Sequence, residues 1–137
     1  MSERLKVIIL DDDPISNFLT KKVIEKSHVA TNVVVFQEPT ELLTGLAENK
    51  VAYPDIIFID LNMPKVNGWQ FIDLFNEIDT NETEKVNLII LSSSSNWEDI
   101  EMAGNISRVK DYIIKPLTID VMESLCQSIN ENAPRFI

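Results

Sequence analysis

Four short apolar runs in this 137-residue chain end on side chains that can do chemistry. Leu5–Leu10 runs into Asp11, Asp12 and Asp13; Ile56–Ile59 into Asp60; Asn87–Leu91 into Ser92; Asp111–Ile114 into Lys115. Carboxylates held close repel one another, and some are driven to take up protons. A hard divalent cation relieves this, and Mg²⁺ does so with few carboxylates and retained waters. Lys115 adds a second positive charge and Ser92 a hydroxyl donor. A carboxylate nucleophile, a metal, an ammonium and a hydroxyl together make a site for accepting a phosphoryl group. The charge developing on the transferring oxygens is met by Mg²⁺ and Lys115. Singly, each piece is ordinary: acid runs at loop starts are solvated, a Ser at a strand end caps, a Lys before Pro is a surface residue. Their joint placement at the ends of apolar runs carries the signal.

The runs that position them read as strands. Leu5–Leu10 is apolar and β-branched, and Pro14 follows as a helix starter. Ile15, Phe18, Leu19, Val23 and Ile24 recur at helical spacing, giving a helix to about Ser27. Asn32–Phe36 is a second strand. Thr40 is the N-cap expected for a second helix carrying Leu42, Leu43 and Leu46. Ile56–Ile59 is continuously apolar, as in a strand buried on both faces. Lys65-Val66-Asn67-Gly68 is a turn in which Gly68 can supply positive φ. Trp69, Phe71, Ile72, Phe75 and Ile78 mark a third helix. Thr80–Lys85 is a polar surface connection to the fourth strand. A fourth helix is expected on Trp97, Ile100 and Ala103, with Trp69 and Trp97 as packing residues. After the Asp111–Ile114 strand, Thr118 caps a last helix that turns Val121, Met122, Leu125, Cys126 and Ile129 inward. Five alternations of strand and helix mean a parallel sheet with helices on both faces. All strand C-terminal ends then share one edge, where ligands bind in such sheets.

Length and composition bound the rest. The chain has room for one domain, with a core of about 5–130 and a C-terminal tail over 131–137 that is expected to fray. Hydrophobic content of 45% is ordinary for a globular domain. The net charge of −10 argues against nonspecific nucleic-acid binding, and no apolar run approaches the ~20 residues that span a bilayer. No signal-peptide pattern opens the chain. The single cysteine, Cys126, excludes an internal disulfide and fits a reducing, cytoplasmic setting. His28, the single histidine, falls between the first helix and second strand, away from the edge.

With these motifs in place the chain resembles the receiver domain of two-component response regulators. The resemblance rests on Ile8–Pro14 (IILDDDP), Asp55–Gly68 (DIIFIDLNMPKVNG), Ser92, and Asp111–Thr118 (DYIIKPLT), and spans Lys6 to Ile129. It implies a flavodoxin-like (βα)5 three-layer α/β sandwich with sheet order 2-1-3-4-5. It implies that Asp60 is the phosphoacceptor and also a metal ligand, that Asp12 binds Mg²⁺ directly and Asp11 through water, and that Asn62 gives the metal a backbone carbonyl. Lys115 would hold phosphoryl oxygens, with a cis bond to Pro116. Ser92 would be the switch hydroxyl, with Ser93 the alternative if the fourth strand runs one residue longer. Tyr112 would change rotamer with it, and Asp13 would be a neighbour rather than a ligand. The donor would be a histidine kinase or a histidine phosphotransfer protein. The output would be a phosphorylation-dependent contact with a downstream protein, or a second copy, through the fourth helix, fifth strand and fifth helix. Arg108 and Lys110 lie in that region, either as contacts for an acidic partner or an acid on a second copy, or as two ordinary charges on a solvated loop.

Two features depart from the family pattern. Asn105–Lys110 stands where the family has a Gly-Ala pair, with about one extra residue. No output domain follows, so a stand-alone receiver is expected. Two rival readings account for less of the chain. A phosphatase of the haloacid dehalogenase type would use Asp11 and Asp13, two residues apart, but leaves Asp60 and Asn62-Met63-Pro64 without a role. A pseudo-receiver that binds partners without phosphorylation would lack the acid pair or the Lys, and this chain has both.

Overall fold

The structure, a computed structural model, describes residues 4–78 and 80–131, so the expected tail beyond Glu131 lies outside the described residues. In chain order the elements are β1 (Leu5–Leu10), α1 (Pro14–Ser27), β2 (Ala30–Phe36), α2 (Pro39–Ala47), β3 (Ile56–Ile59), α3 (Gly68–Asn76), β4 (Asn87–Ser92), α4 (Trp97–Gly104), β5 (Val109–Ile114) and α5 (Ile119–Asn130). A 3₁₀ turn at Thr83–Lys85 precedes β4. All strand pairings are parallel and the order is β2-β1-β3-β4-β5, the flavodoxin-like order that the resemblance implies.

Two apolar layers hold the helices to the sheet. On one face Ile24 of α1 and Met122, Leu125 and Cys126 of α5 pack on Val7, Ile9, Phe58 and Ile89. On the other, Leu42 and Leu46, Phe71 and Phe75, and Ala103 pack on Ile8, Leu10, Ile57, Ile59, Leu88 and Ile90. Strand β3 lies between both layers, and each of its side chains is at most 1% exposed. Burying an Ile or Phe contributes about 2 kcal/mol, so the strand that ends in Asp60 is among the most firmly held.

Several boundaries and faces differ from expectation. Helix α2 starts at Pro39 with Glu38 at the N-cap, ahead of Thr40, because a Pro at the first helical position gives up no needed N–H. Strands β2 and β5 each begin two residues earlier than expected. In β5 the register steps from Leu88↔Val109 to Ile89↔Asp111, an irregularity that falls at Lys110 within the Asn105–Lys110 segment. Gly68 does not take positive φ; Lys65 does, at 65°. Gly68 instead begins α3, and a Cβ there would meet the Asp60 carbonyl at 2.7 Å and Leu61 Cα at 2.9 Å. Its lack of a side chain allows backbone approach rather than an unusual dihedral. Asn67 and Gln70 close a reciprocal capping box over this start.

Helix α1 turns a different face inward. Ile15, Phe18 and Leu19 are 71%, 60% and 58% exposed, while Asn17, Thr20, Ile24 and Ser27 are buried. The start of the helix sets this phase. Asp13 caps it, accepting from the Ile15 N–H at 2.9 Å, and the Asn17 amide reaches the Asp11 carbonyl at 2.8 Å. Trp97, expected to pack, is 69% exposed, whereas Trp69 packs beside the core. Ala103 is the fully buried residue of α4.

Arg108 makes contacts within the chain that its sequence position does not announce. Its Nε donates to Asn76 Oδ1 at 3.3 Å and its Nη2 to the Thr83 carbonyl at 2.8 Å, with the guanidinium 5.5 Å from the Phe75 ring centroid. It ties the connection before β5 to the end of α3. Burial pushes its pKa down. Arg108→Ala is expected to cost about 1–3 kcal/mol, because it removes the charged hydrogen bonds and the cation–π interaction with Phe75 at once. Urea denaturation would show this as a lower midpoint at unchanged slope. Arg108→Lys is expected to recover part of the loss, because an ammonium cannot match the fork.

Candidate functional site

Strand register builds the site. Leu10 pairs with Ile59, so the next residues, Asp11 and Asp60, leave adjacent strands side by side. The Asp60 N–H donates to the Leu10 carbonyl at 3.0 Å and the Asp11 N–H to the Phe36 carbonyl at 3.1 Å, fixing both backbones at the edge. Ser92 pairs with Ile114, and the Lys115 N–H donates to the Ser92 carbonyl at 2.8 Å. Lys115 therefore departs beside β4 and reaches back across the edge. The Lys115–Pro116 bond is cis, as expected.

One oxygen from each of Asp11, Asp12 and Asp60 lies within 4.8 Å of the others. Lys115 Nζ donates to Asp11 Oδ2 at 2.7 Å and stands 3.8 Å from Asp60 Oδ1. Asp11 is 3% exposed and Asp60 8%, while Asp12 is half-buried. The second Asp11 oxygen accepts from the Asp13 N–H at 2.9 Å. The Asp60 carboxyl is raised from 3.8 to about 6, first by burial and second by the Asp11 carboxylate. Lys115 and the Asn62 N–H, which hydrogen-bonds the carboxylate, oppose the rise. These features fit a small divalent cation: hard oxygen donors, close spacing, and negative charge that one ammonium leaves under-compensated.

The remaining expected residues sort by position. Ser92 is fully buried at the end of β4, and its hydroxyl oxygen accepts from the Ser94 N–H at 3.1 Å. Ser93 is exposed and lines a groove with Lys115 and Pro116. Tyr112 is half-buried, its hydroxyl donating to the Ser94 carbonyl at 2.7 Å. Asp13 faces solvent and caps α1, so the two-residue acid pair of the phosphatase reading is not assembled. His28 ends α1 in the left-handed region and is exposed.

Sequence reasoning missed Asn17, Ser94 and Asp99. Asn17 holds the Asp11 carbonyl from inside α1, and its Oδ1 is buried without a hydrogen-bond partner. A signal existed: Asn17, Thr20, Ile24 and Ser27 share one helical face, and polar residues on it mark contact with backbone rather than core. Ser94 and Asp99 gave no spacing signal.

The sequence profile of the response regulator receiver domain matches residues 7–127. The chain belongs to that family. A crystal structure of a two-component response regulator from Cytophaga hutchinsonii superposes with a TM-score of 0.85 at 32% identity, over 93% of this chain and 98% of that one. A response regulator receiver protein from Dyadobacter fermentans gives 0.80 at 26% identity, over 90% and 96%. Among curated relatives, the two-component response regulator ORR21 of rice is 30% identical over 93% of this chain, and protein PilG of Pseudomonas aeruginosa 27% identical over 98%. This chain spans 18% of the rice protein's length and 92% of PilG's. Receiver domains are signalling phosphoacceptors that work with histidine kinases or phosphotransfer proteins and downstream effectors. The Asp11, Asp12 and Asp60 pocket of this receiver fits that role.

The raised Asp60 carboxyl has a measurable consequence. Its folded pKa lies above the unfolded value, so the native state binds the proton more tightly. The associated stability is fully present below about 3.8 and lost as pH rises through about 6. Holding the ionised carboxylate at neutral pH therefore costs on the order of 3 kcal/mol. In metal-free buffer, Asp60→Asn is expected to be more stable than wild type by an amount that grows between pH 4 and pH 7, on the order of that cost. Parallel stability–pH curves for the two proteins would show that the carboxyl is not raised.

Proposed function

We propose that Asp60 of this receiver takes a phosphoryl group from a phosphohistidine on a kinase or histidine phosphotransfer protein, with Mg²⁺ bound beside it, and that the modified chain signals through a protein contact. The observation that carries this reading is a buried carboxylate under strain from two neighbouring acids, with one ammonium 3.8 Å away, at the C-terminal edge of the sheet. In the transfer an Asp60 oxygen bonds to phosphorus while the phosphorus–nitrogen bond of the donor breaks. The electron pair returns to the imidazole, which takes up a proton. Mg²⁺ would neutralise charge on the transferring oxygens.

The chain's own groups divide the work. Both Asp11 oxygens already accept hydrogen bonds, from Lys115 and the Asp13 N–H. This supports Asp11 as a ligand through water and Asp12 as the direct one. Asn62, whose N–H steadies Asp60, would turn its carbonyl to the metal. Lys115 would move its ammonium from Asp11 toward the arriving phosphoryl oxygens. Ser92, rather than exposed Ser93, would donate its buried hydroxyl to them, with Tyr112 responding. Slow self-catalysed loss of the phosphoryl group to water completes the cycle.

The surfaces support two separate contacts. Beside the site, exposed Ile15 and Leu19 of α1 line a groove with Pro116, Leu117, Ser93 and Lys115. The groove is continuous with the acid cluster through Lys115, so the phosphoryl donor would rest there. On the α4–β5–α5 side, Trp97, Met102, Ile114 and Ile119 are exposed apolar residues. They support that side as the output surface, for a downstream protein or a second copy. The reduced, buried Cys126 suits a cytoplasmic setting.

With acetyl phosphate and Mg²⁺, the chain is expected to gain the mass of one phosphoryl group. EDTA and Asp60→Asn should each abolish the gain, whereas Asp13→Asn should keep it. Labelling that survives in Asp60→Asn, or is lost in Asp13→Asn, would contradict the assignment and favour the phosphatase-type acid pair. Ser92→Ala is expected to label but to lose the accompanying shift changes at Tyr112, as read by NMR.

A further inference from the structure

Ser94 stands two residues beyond β4 and joins four groups. Its N–H donates to Ser92 Oγ at 3.1 Å, and its carbonyl accepts from the Tyr112 hydroxyl at 2.7 Å. Its own hydroxyl donates to Asp99 Oδ2 at 2.7 Å and accepts from the Asn96 N–H at 3.2 Å. Asn96 is the N-cap of α4 and Asp99 lies in its first turn. One residue thus touches the switch hydroxyl and the aromatic through its backbone, and the helix through its side chain.

We propose that Ser94 is the positioning residue that couples Ser92 and Tyr112 to helix α4, with the Asp99 carboxylate as its anchor on the helix. The inference rests on Asp60 being the phosphoacceptor. When phosphoryl oxygens arrive at Asp60, the Ser92 hydroxyl donates to them and its oxygen shifts. Because that oxygen also accepts from the Ser94 N–H, the Ser94 peptide follows or the bond breaks. Ser94 cannot shift independently of the helix, since its hydroxyl holds a charged acceptor on α4, among the stronger kinds of hydrogen bond. The movement passes into the first turn of α4. The other end of the helix stays in place: Ala103 is fully buried, and Arg108 ties the following segment to Asn76 and Thr83. Helix α4 therefore pivots about its C-terminal end, carrying exposed Trp97 with it. A Ser94 that merely capped the helix would contribute stability but leave this response intact.

The test uses the whole chain with Mg²⁺ and beryllium fluoride as the phosphoryl mimic, followed by amide NMR. In wild type, shift changes on α4 are expected to be largest at Glu98–Ile100 and to fade toward Gly104. Ser94→Ala and Asp99→Ala should still bind beryllium fluoride with affinity near wild type and still respond at Tyr112, but lose the α4 changes. Asp99→Asn keeps an acceptor for the Ser94 hydroxyl and should restore them. Changes on α4 of wild-type size in Asp99→Ala, or a uniform response along α4 in wild type, would overturn the proposal. Failure of wild type to bind beryllium fluoride at all would instead overturn the acceptor reading on which it rests.

Discussion

Three carboxylates share one corner of this fold with the Lys115 ammonium. Asp11 and Asp60 are almost fully buried, Asp12 is beside them, and Lys115 bonds Asp11 while standing 3.8 Å from Asp60. Such an arrangement opposes folding, since burial and mutual repulsion both disfavour the ionised acids. The parallel sheet makes it tolerable. Strands β1 and β3 are packed between two apolar layers, and backbone hydrogen bonds hold the residues at their ends in place. The core thus stabilises a corner whose charge a small divalent cation would balance, and in that sense a poorly compensated site is built into a well-packed frame.

The same corner explains how a small chemical change can be felt at a distance. Lys115 and Ser92 leave adjacent strands, and the Lys115 N–H is bonded to the Ser92 carbonyl. Beyond Ser92 the chain meets Tyr112 and α4 through Ser94. On the proposal that Asp60 is the acceptor, an added phosphoryl group would compete for the ammonium and offer acceptors to the hydroxyl. Its effects would then run along existing hydrogen bonds rather than through the core. Moving a two-state element from mostly inactive to mostly active takes about 3–5 kcal/mol of differential stabilisation, within the reach of a few charge-assisted contacts.

Much of this is legible in the sequence, because residues at the ends of buried strands have positions dictated by topology. Asp11, Asp12, Asp60, Ser92 and Lys115 can be assigned to one edge from apolar runs and alternation alone. Strand order comes from family resemblance, and the cis bond before Pro116 likewise. What escapes the sequence depends on the rotation of helices and the reach of side chains. The apolar residues of α1 suggest a buried face, yet capping by Asp13 and the reach of Asn17 to Asp11 turn Ile15, Phe18 and Leu19 outward. Gly68 reads as a turn glycine, but its role is close approach to the Asp60 backbone. Arg108 reads as a charge open to a partner or to solvent, and in the fold two of its N–H groups bond Asn76 at the end of α3 and the Thr83 carbonyl before β4. Periodicity reports neither helix rotation nor contacts between connections distant in sequence.

The central claim is that Asp60 is an electrostatically stressed carboxylate whose strain a divalent cation relieves. Carboxyl carbon-13 NMR can follow its titration directly, assigned by comparison with Asp60→Asn. Without metal the Asp60 carboxyl is expected to titrate at about 6; with saturating Mg²⁺ its midpoint should fall below 3.8, the ordinary value. A metal-free midpoint near 3.8, unmoved by Mg²⁺, would contradict the account.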